Sequence, residues 1–219
     1  MNQATQLDQQ PSKPARRTES KEVRRQQLID ATIDSIAQHG ISGTTMSTVT
    51  ETAGLSLGIV NFHFDSKQKL FEETLVHIAR EYHNHCMRAY EEVGPFAREK
   101  LRALVDAHFH PDVCTTKKLA VWYAFYGEGK RRAIYRDLID SLDDERWDMT
   151  TALCRDIIDH GNYDCPPAEH VARTLEALLD GIALNILMYP DSYSAEEGRK
   201  QAHTYLASLF PQHFDMPAF

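Results

Sequence analysis

Three groups of residues in this sequence are spaced so that they could do chemistry. In the stretch Thr45 to Phe64, TMSTVTETAGLSLGIVNFHF, burial needs only Met46, Val49, Ile59 and Val60, so Leu57, Gly58, Asn61 and His63 are left to face another molecule. Farther on, Trp122, Phe125 and Tyr126 recur at i, i+3 and i+4, one face of a helix. An aromatic face at that spacing either packs a core or attracts a cation. Asp180 lies inside the apolar run LEALLDGIALNIL, where a carboxylate without a partner is costly. A cationic ligand, a buried Arg and a neighbouring helix cap are its alternative partners. His77, Glu81 and His85 recur every four residues, with His83 and Cys86 near, a spacing that can hold a metal. Nothing else completes that set, so no metal centre is expected. Nor is a cofactor or a catalytic residue. There is no GxSxG and no phosphate loop, and Asp143, Asp144 and Glu145 read as a solvated acidic helix surface.

The elements that position these residues are helices. Thr45 is a candidate N-cap, Ala53-Gly54-Leu55 a break, and Gly54 can take the positive φ that a Cβ resists. Ser56 then caps a second short helix through its hydroxyl. Two helices joined by a short turn with Gly form a helix-turn-helix, whose second helix enters the DNA major groove. Phe62 and Phe64, at i and i+2, can anchor the end of that helix. Ser66 and Lys67 open the next one, where free N–H groups and a lysine can hold a phosphate.

The rest of the chain reads in order as helix after helix. Residues 1–20 are polar and read as a disordered basic arm. A first helix spans about Lys21 to His39, with Leu28, Thr32 and Ile36 on its apolar stripe and Gly40 as its stop. A long helix runs from about Lys67 to Glu92, and Gly94-Pro95 marks a boundary. Further helices are expected over Phe96–His108, Thr116–Glu128, Lys130–His160, Pro166 to Leu187, and Ser194 to Leu209. The fold is therefore all-α, about nine helices: an N-terminal three-helix unit over 21–66 and a helical body over 67–219.

Charge and composition narrow the class. The chain has 219 residues, 42% of them hydrophobic, enough for one compact domain or a small and a larger one. Its net charge is −8, unusual for a DNA binder, yet residues 1–70 hold 8 Lys and Arg against 7 Asp and Glu, so the deficit lies in the remainder. Lys13, Arg16, Arg17, Lys21, Arg24 and Arg25 crowd just before the first helix, a local phosphate footprint or a solvated tail. No run is long and apolar enough for a membrane span, and no signal-peptide core opens the chain, so a cytoplasmic location is expected. Cys86, Cys114, Cys154 and Cys165 are far apart and form no CxxC pair, as free thiols do.

The run TTMSTVTETAGLSLGIVNFHFDSKQKLFEETL resembles the DNA-binding domain of the TetR family, over roughly Arg24 to Leu75. The family's YxHF-like segment is here Asn61-Phe62-His63-Phe64, a departure that touches one phosphate contact. The resemblance implies a dimeric transcriptional regulator, usually a repressor, with a C-terminal ligand-binding domain. Leu57, Gly58 and Asn61 would then approach bases, Asn pairing with adenine and Leu meeting a thymine methyl. Thr45, Ser56, His63 and Lys67 would touch phosphates, the first two as helix caps first, with Phe62 beside them. Arg16 and Arg17 would enter a minor groove.

RRQQLIDATIDSIAQHG, WYAFYGEG and LLDGIALNIL together resemble one branch of that family, whose members sense choline and repress genes of choline uptake and oxidation, on the way to glycine betaine. A quaternary ammonium carries no N–H donor, so aromatic faces and a nearby carboxylate bind it. Trp122, Phe125, Tyr126 and Asp180 are the residues offered for that role. The last two helices present apolar faces, Val171, Leu175, Leu178, Leu179 and Ile182 on one and Tyr205 and Leu206 on the other. These pack within the chain or, as the family resemblance implies, against a second copy, whose two-fold axis suits a palindromic operator. A regulator of another pathway, efflux or catabolism, with a different hydrophobic or cationic ligand is the alternative. An all-α enzyme or scaffold with an incidental helix-turn-helix is a third reading, which predicts DNA binding without steep salt dependence.

Overall fold

The computed structural model describes residues 20–217, and among these the chain is all-α. Its helices are α1 (Lys21–Gly43), α2 (Met46–Ala53), α3 (Leu57–His63), α4 (Lys67–Glu92), α5 (Ala97–His108), α6 (Thr116–Gly127), α7 (Arg132–Gly161), α8 (Ala168–Met188) and α9 (Ala195–Leu209). None is long and apolar enough to cross a membrane.

Local chemistry sets the ends. Ser20, Thr45, Ser66, Thr115 and Ser194 each accept a backbone N–H of the first turn they precede. Thr45 and Thr48 satisfy each other's backbone N–H, and Ser194 and Glu197 repeat the device at α9. Gly54 closes α2 at φ 64, ψ 31, a left-handed conformation that costs other L-residues about 1–2 kcal/mol. Gly40 is a kink rather than a stop: it takes φ 68, ψ 173, and residues 41–43 add one more turn beyond it. Ser56 holds the N-cap position of α3, but its hydroxyl makes no capping bond.

The buried side chains form two cores, and α4 runs through both. In the first, Leu28 and Ile36 of α1 meet Val49 of α2, Val60 of α3 and Phe64, together with Leu70, Phe71, Leu75 and Ile78 from the first half of α4. That core continues into Val121 and Phe125 of α6 and Tyr135 and Ile139 of α7, so the packing does not divide at residue 66. In the second, Cys86 from the far half of α4 joins Leu101 and Val105 of α5, Leu153 and Ile157 of α7, Leu175 and Ile182 of α8, and Leu206 of α9. An ion pair between Lys117 of α6 and Asp34 of α1, 2.5 Å long, adds a surface tie between the two parts.

Most of the apolar residues that the sequence offers to a second copy are used inside the chain. Val171, Leu175, Leu179, Ile182 and Leu206 are buried in the second core, because α8 is central and packs on α7, α6 and α9 at once. Only Leu178 and Tyr205 of that set stay half-buried, while Leu184 and Met188, farther along α8, stand exposed.

Candidate functional site

The first candidate surface is α3 and its flanks. Leu57, Gly58 and Asn61 are exposed, while Val60 is the helix's buried residue. Phe64 alone anchors the C-terminal end; Phe62, expected to share that task, points outwards and is 74% exposed. Phe62 belongs to α3, whereas Phe64 follows its end with extended backbone, φ −136 and ψ 122, so the two rings leave the chain in different directions and only Phe64 reaches the core.

Arg25 is what holds this end in place, and the spacing of the motif gives no hint of it. Its guanidinium lies 4.5 Å from the centre of the Phe64 ring and donates to the His63 carbonyl at 2.7 Å. It also pairs with Glu73 of α4. One basic side chain of α1 thus ties α3 to α4.

Burial, then Lys21 and Arg25 beside it, lower the pKa of His63, which favours the neutral imidazole. Thr45 is exposed, and its oxygen accepts the Thr48 N–H at 3.1 Å, leaving the hydroxyl proton to donate outwards. Ser56 is exposed with its hydroxyl uncommitted to a cap. Lys67 reaches the Ile41 carbonyl at 3.5 Å and lies 5.0 Å over the Phe71 ring. Arg16 and Arg17 lie outside the described residues.

The second candidate is a cavity of about 550 Å³ in the helical body. Trp122, Tyr123 and Tyr126 of α6 form one wall, Tyr82 of α4 another, and Asp143, Arg146, Glu176 and Asp180 of α7 and α8 the third. The Trp122 and Tyr126 rings meet edge to face, centroids 5.4 Å apart, and Tyr123 meets Tyr126 likewise at 6.3 Å. Tyr123, adjacent to Trp122 and passed over by the i, i+3, i+4 pattern, donates its hydroxyl to the Asp180 carbonyl at 2.7 Å. Phe125 is the correction to that pattern. It is fully buried in the first core, edge to face with Phe71 at 6.2 Å and with Tyr135 at 4.9 Å. At about 100° per residue, Val121 and Phe125 take the face of α6 opposite the cavity.

The cations around this cavity are already engaged. Arg146 donates to both oxygens of Glu176, at 3.2 and 3.0 Å, and to Asp143 at 3.0 Å, with its guanidinium 5.3 Å from the Tyr82 ring. Arg173 covers the Trp147 ring at 3.9 Å. Among the described residues Asp180 makes no ion pair. Asp180 is exposed by surface area, but the protein crowded round its carboxyl, then the Glu176 carboxylate, push it up to about 6 against the opposing pull of Arg146. The aromatic corner on α6 therefore faces a carboxylate that makes no ion pair among the described residues and whose charge Arg146 offsets only through space. Such a place attracts a cation that cannot donate a hydrogen bond, because ring faces stabilise charge without asking for N–H. The histidine series on α4 does not assemble: His77 bonds Gln26 at 3.1 Å and Glu81 takes Lys118 at 2.7 Å.

An exposed helix-turn-helix, joined by one long helix to an all-α body with an aromatic, acidic cavity, has the layout of a ligand-responsive DNA-binding regulator. Comparison with known proteins names the family. Residues 28–74 match the tetR family of bacterial regulatory proteins, and residues 97–211 match the C-terminal domain of BetI-type transcriptional repressors. The chain is 32% identical over 192 residues to the HTH-type transcriptional regulator BetI of Paraburkholderia phymatum, covering 88% of this chain and 95% of that protein. To BetI of Burkholderia thailandensis it is 31% identical over 191 residues, 86% of this chain and 94% of the relative. Among solved structures, a transcriptional regulator of Pseudomonas aeruginosa PAO1 superposes with a TM-score of 0.76 at 25% identity, over 91% of this chain and 97% of that one. A regulator of Saccharomonospora viridis, solved in complex with choline, superposes with a TM-score of 0.73 at 20% identity, over 84% and 96%. The chain belongs to the TetR family of transcriptional repressors and carries a BetI-type C-terminal domain. It is a regulator and not an enzyme.

Proposed function

We propose that this repressor binds a palindromic operator as a homodimer and leaves it when a quaternary ammonium compound, choline foremost, enters the cavity. The genes it controls are then those of glycine betaine synthesis. The observation that carries the effector class is the aromatic corner of Trp122, Tyr123 and Tyr126 facing the unpaired Asp180. The BetI relatives, and the choline complex of a regulator with the same fold, support the same class.

At the operator, Leu57, Gly58 and Asn61 read base edges, Asn61 by pairing with adenine. Thr45, Ser56, His63 and Lys67 position the helix on phosphates, Phe62 lies along the sugar-phosphate backbone, and Arg16 and Arg17 reach into a minor groove. Residues 21–66 are the DNA-reading unit, and α4 is the lever shared with the body. The second copy packs on the outer face of α8 and α9, using Leu178, Leu184, Met188 and Tyr205 rather than the buried leucines and isoleucine beside them. The two-fold axis sets half-sites ~34 Å apart or a multiple of that.

Ligand and operator are coupled through α6. Trp122 lines the cavity and also packs against the first core, where its neighbours Val121 and Phe125 touch α4 and α7. A ligand that shifts α6 shifts the packing beneath α1 and α4. The shift it can impose is limited to its differential affinity for the two arrangements.

Titration calorimetry with choline, paired with operator-release measurements over a salt series, tests the proposal. Expected are heat of binding, release of the operator by choline, and a steep fall of affinity with salt as phosphates are given up. Absence of heat and release with both choline and betaine aldehyde removes the effector class. Release by a neutral hydrophobic compound instead points to a regulator of efflux or catabolism.

A further inference from the structure

α4 also meets the turn between α5 and α6, through side chains that neither the DNA surface nor the cavity uses. His85 of α4 and His110 of the turn lie with ring centroids 4.5 Å apart and planes inclined by 32°. Asp112 brings Oδ2 to 3.8 Å from His85 Nε2 and 3.6 Å from His110 Nδ1. One ligand-type atom from each of the three lies within 4.8 Å of the other two. We propose that His85, His110 and Asp112 bind a divalent transition-metal ion of the zinc type, with solvent completing the shell.

The donor set selects the class of ion. Two imidazoles and one carboxylate suit zinc and its first-row neighbours, whereas magnesium and calcium take all-oxygen sites. A tetrahedral zinc about 2.0–2.1 Å from its ligands sets the donors roughly 3.3 Å apart. The observed gaps to Asp112 exceed that by a few tenths of an ångström, which an exposed carboxylate on a turn can close.

The alternative is an ordinary His–Asp ion pair, and the surroundings argue against it. An ion pair needs a protonated imidazole. The two imidazole rings face each other at 4.5 Å, and two facing imidazoles resist being charged together, so an ion pair would leave one of them without a role. Neutral imidazole is the form that ligates metal. The nearby Lys118 is compensated by both oxygens of Glu81, each at 2.7 Å. His110 Nδ1 accepts the Asp112 amide at 3.2 Å, a bond that the metal replaces, leaving an exposed amide to water.

The location gives the site a consequence. Val113 and Cys114, the next residues of the turn, line the effector cavity, and α4 carries the DNA-reading unit at its other end. A metal here pins the far half of that lever to the cavity wall.

The test uses the full chain, stripped of metal by chelation and titrated with Co²⁺, then with Zn²⁺ as competitor. One Co²⁺ per chain with a tetrahedral visible spectrum, displaced by Zn²⁺ at micromolar concentration, is expected. Asp112→Asn and His110→Gln each weaken binding roughly tenfold or more. His77→Gln, whose residue bonds Gln26 instead, leaves it unchanged. Asp112 is exposed, so its variant keeps the test interpretable if His110→Gln does not fold. Binding only at millimolar metal, or micromolar binding that survives both variants, overturns the proposal.

Discussion

On α3, Leu57, Asn61 and Phe62 stand in solvent, and Val60 and Phe64 do the holding; on α6, Trp122, Tyr123 and Tyr126 wall a cavity while Val121 and Phe125 pack behind them. Both helices put a working face and a structural face back to back, but the working faces differ in kind. The DNA-reading face is made of side chains that the protein itself does not need. The cavity face is made largely of half-buried groups, and Arg146, Glu176 and Asp143 satisfy one another there. Changes on α3 should therefore alter affinity without stability, whereas changes on α6 and around it should mix the two.

The largest effect separates the faces of α6. Phe125→Ala removes a fully buried ring wedged between Phe71 and Tyr135 and should cost about 3–5 kcal/mol, read as a large fall in denaturation midpoint. If instead it leaves stability intact and abolishes choline binding, the assignment of faces is reversed.

Next, Asn61→Ala should weaken specific operator binding by about 1–3 kcal/mol at an unchanged melting temperature, because the residue is exposed and its loss removes only base readout. Unaltered affinity in a competition series against nonspecific DNA would mean that α3 reads through other side chains.

Asp180→Asn should weaken choline roughly tenfold above neutrality. The unmutated protein should bind choline more tightly as pH rises through about 6, where the carboxyl ionises, and Asp180→Asn should show no such rise. The same shift has a stability sign. With the folded pKa raised from 3.8 to about 6, the unfolded chain ionises first, so ligand-free stability falls as pH climbs through that window. Asp180→Asn should remove that fall; calorimetric titrations and melts at a series of pH values read both.

The smallest effect divides the two caps of the helix-turn-helix. Thr45→Ala should cost about 1 kcal/mol of stability, since its oxygen satisfies the Thr48 N–H. Ser56→Ala should leave the melting temperature where it is and lower only DNA affinity, since its hydroxyl makes no capping bond.

What local rules can see, the sequence showed. The helix-turn-helix follows from Thr45, Gly54 and the spacing of Val49 and Val60, all fixed within a few residues of each other. The all-α class, the helix limits to within a few residues and the membership of the TetR family rest on the same kind of signal. What depends on a helix's orientation against distant partners was not legible. The aromatic pattern on α6 is equally consistent with Phe125 in the cavity or in the core, and only the position of α4 and α7 chooses. The apolar stripes on α8 and α9 look the same whether a partner copy or α7 covers them, and α7 covers most of them.

Sequence alone therefore determined the helices, the candidate reading residues on α3 and the placing of a carboxylate, Asp180, within an apolar run, because caps, glycine turns and hydrophobic period act over one or two turns of chain. Tertiary structure decided that Tyr123 joins the cavity, that Arg25 clamps Phe64, that Arg146 is taken by Glu176 and so leaves Asp180 unpaired, and that His85 meets His110 and Asp112. Each of these joins residues far apart in the chain, and electrostatics and packing at a few ångströms cannot be read from a pattern that records only what lies nearby in sequence.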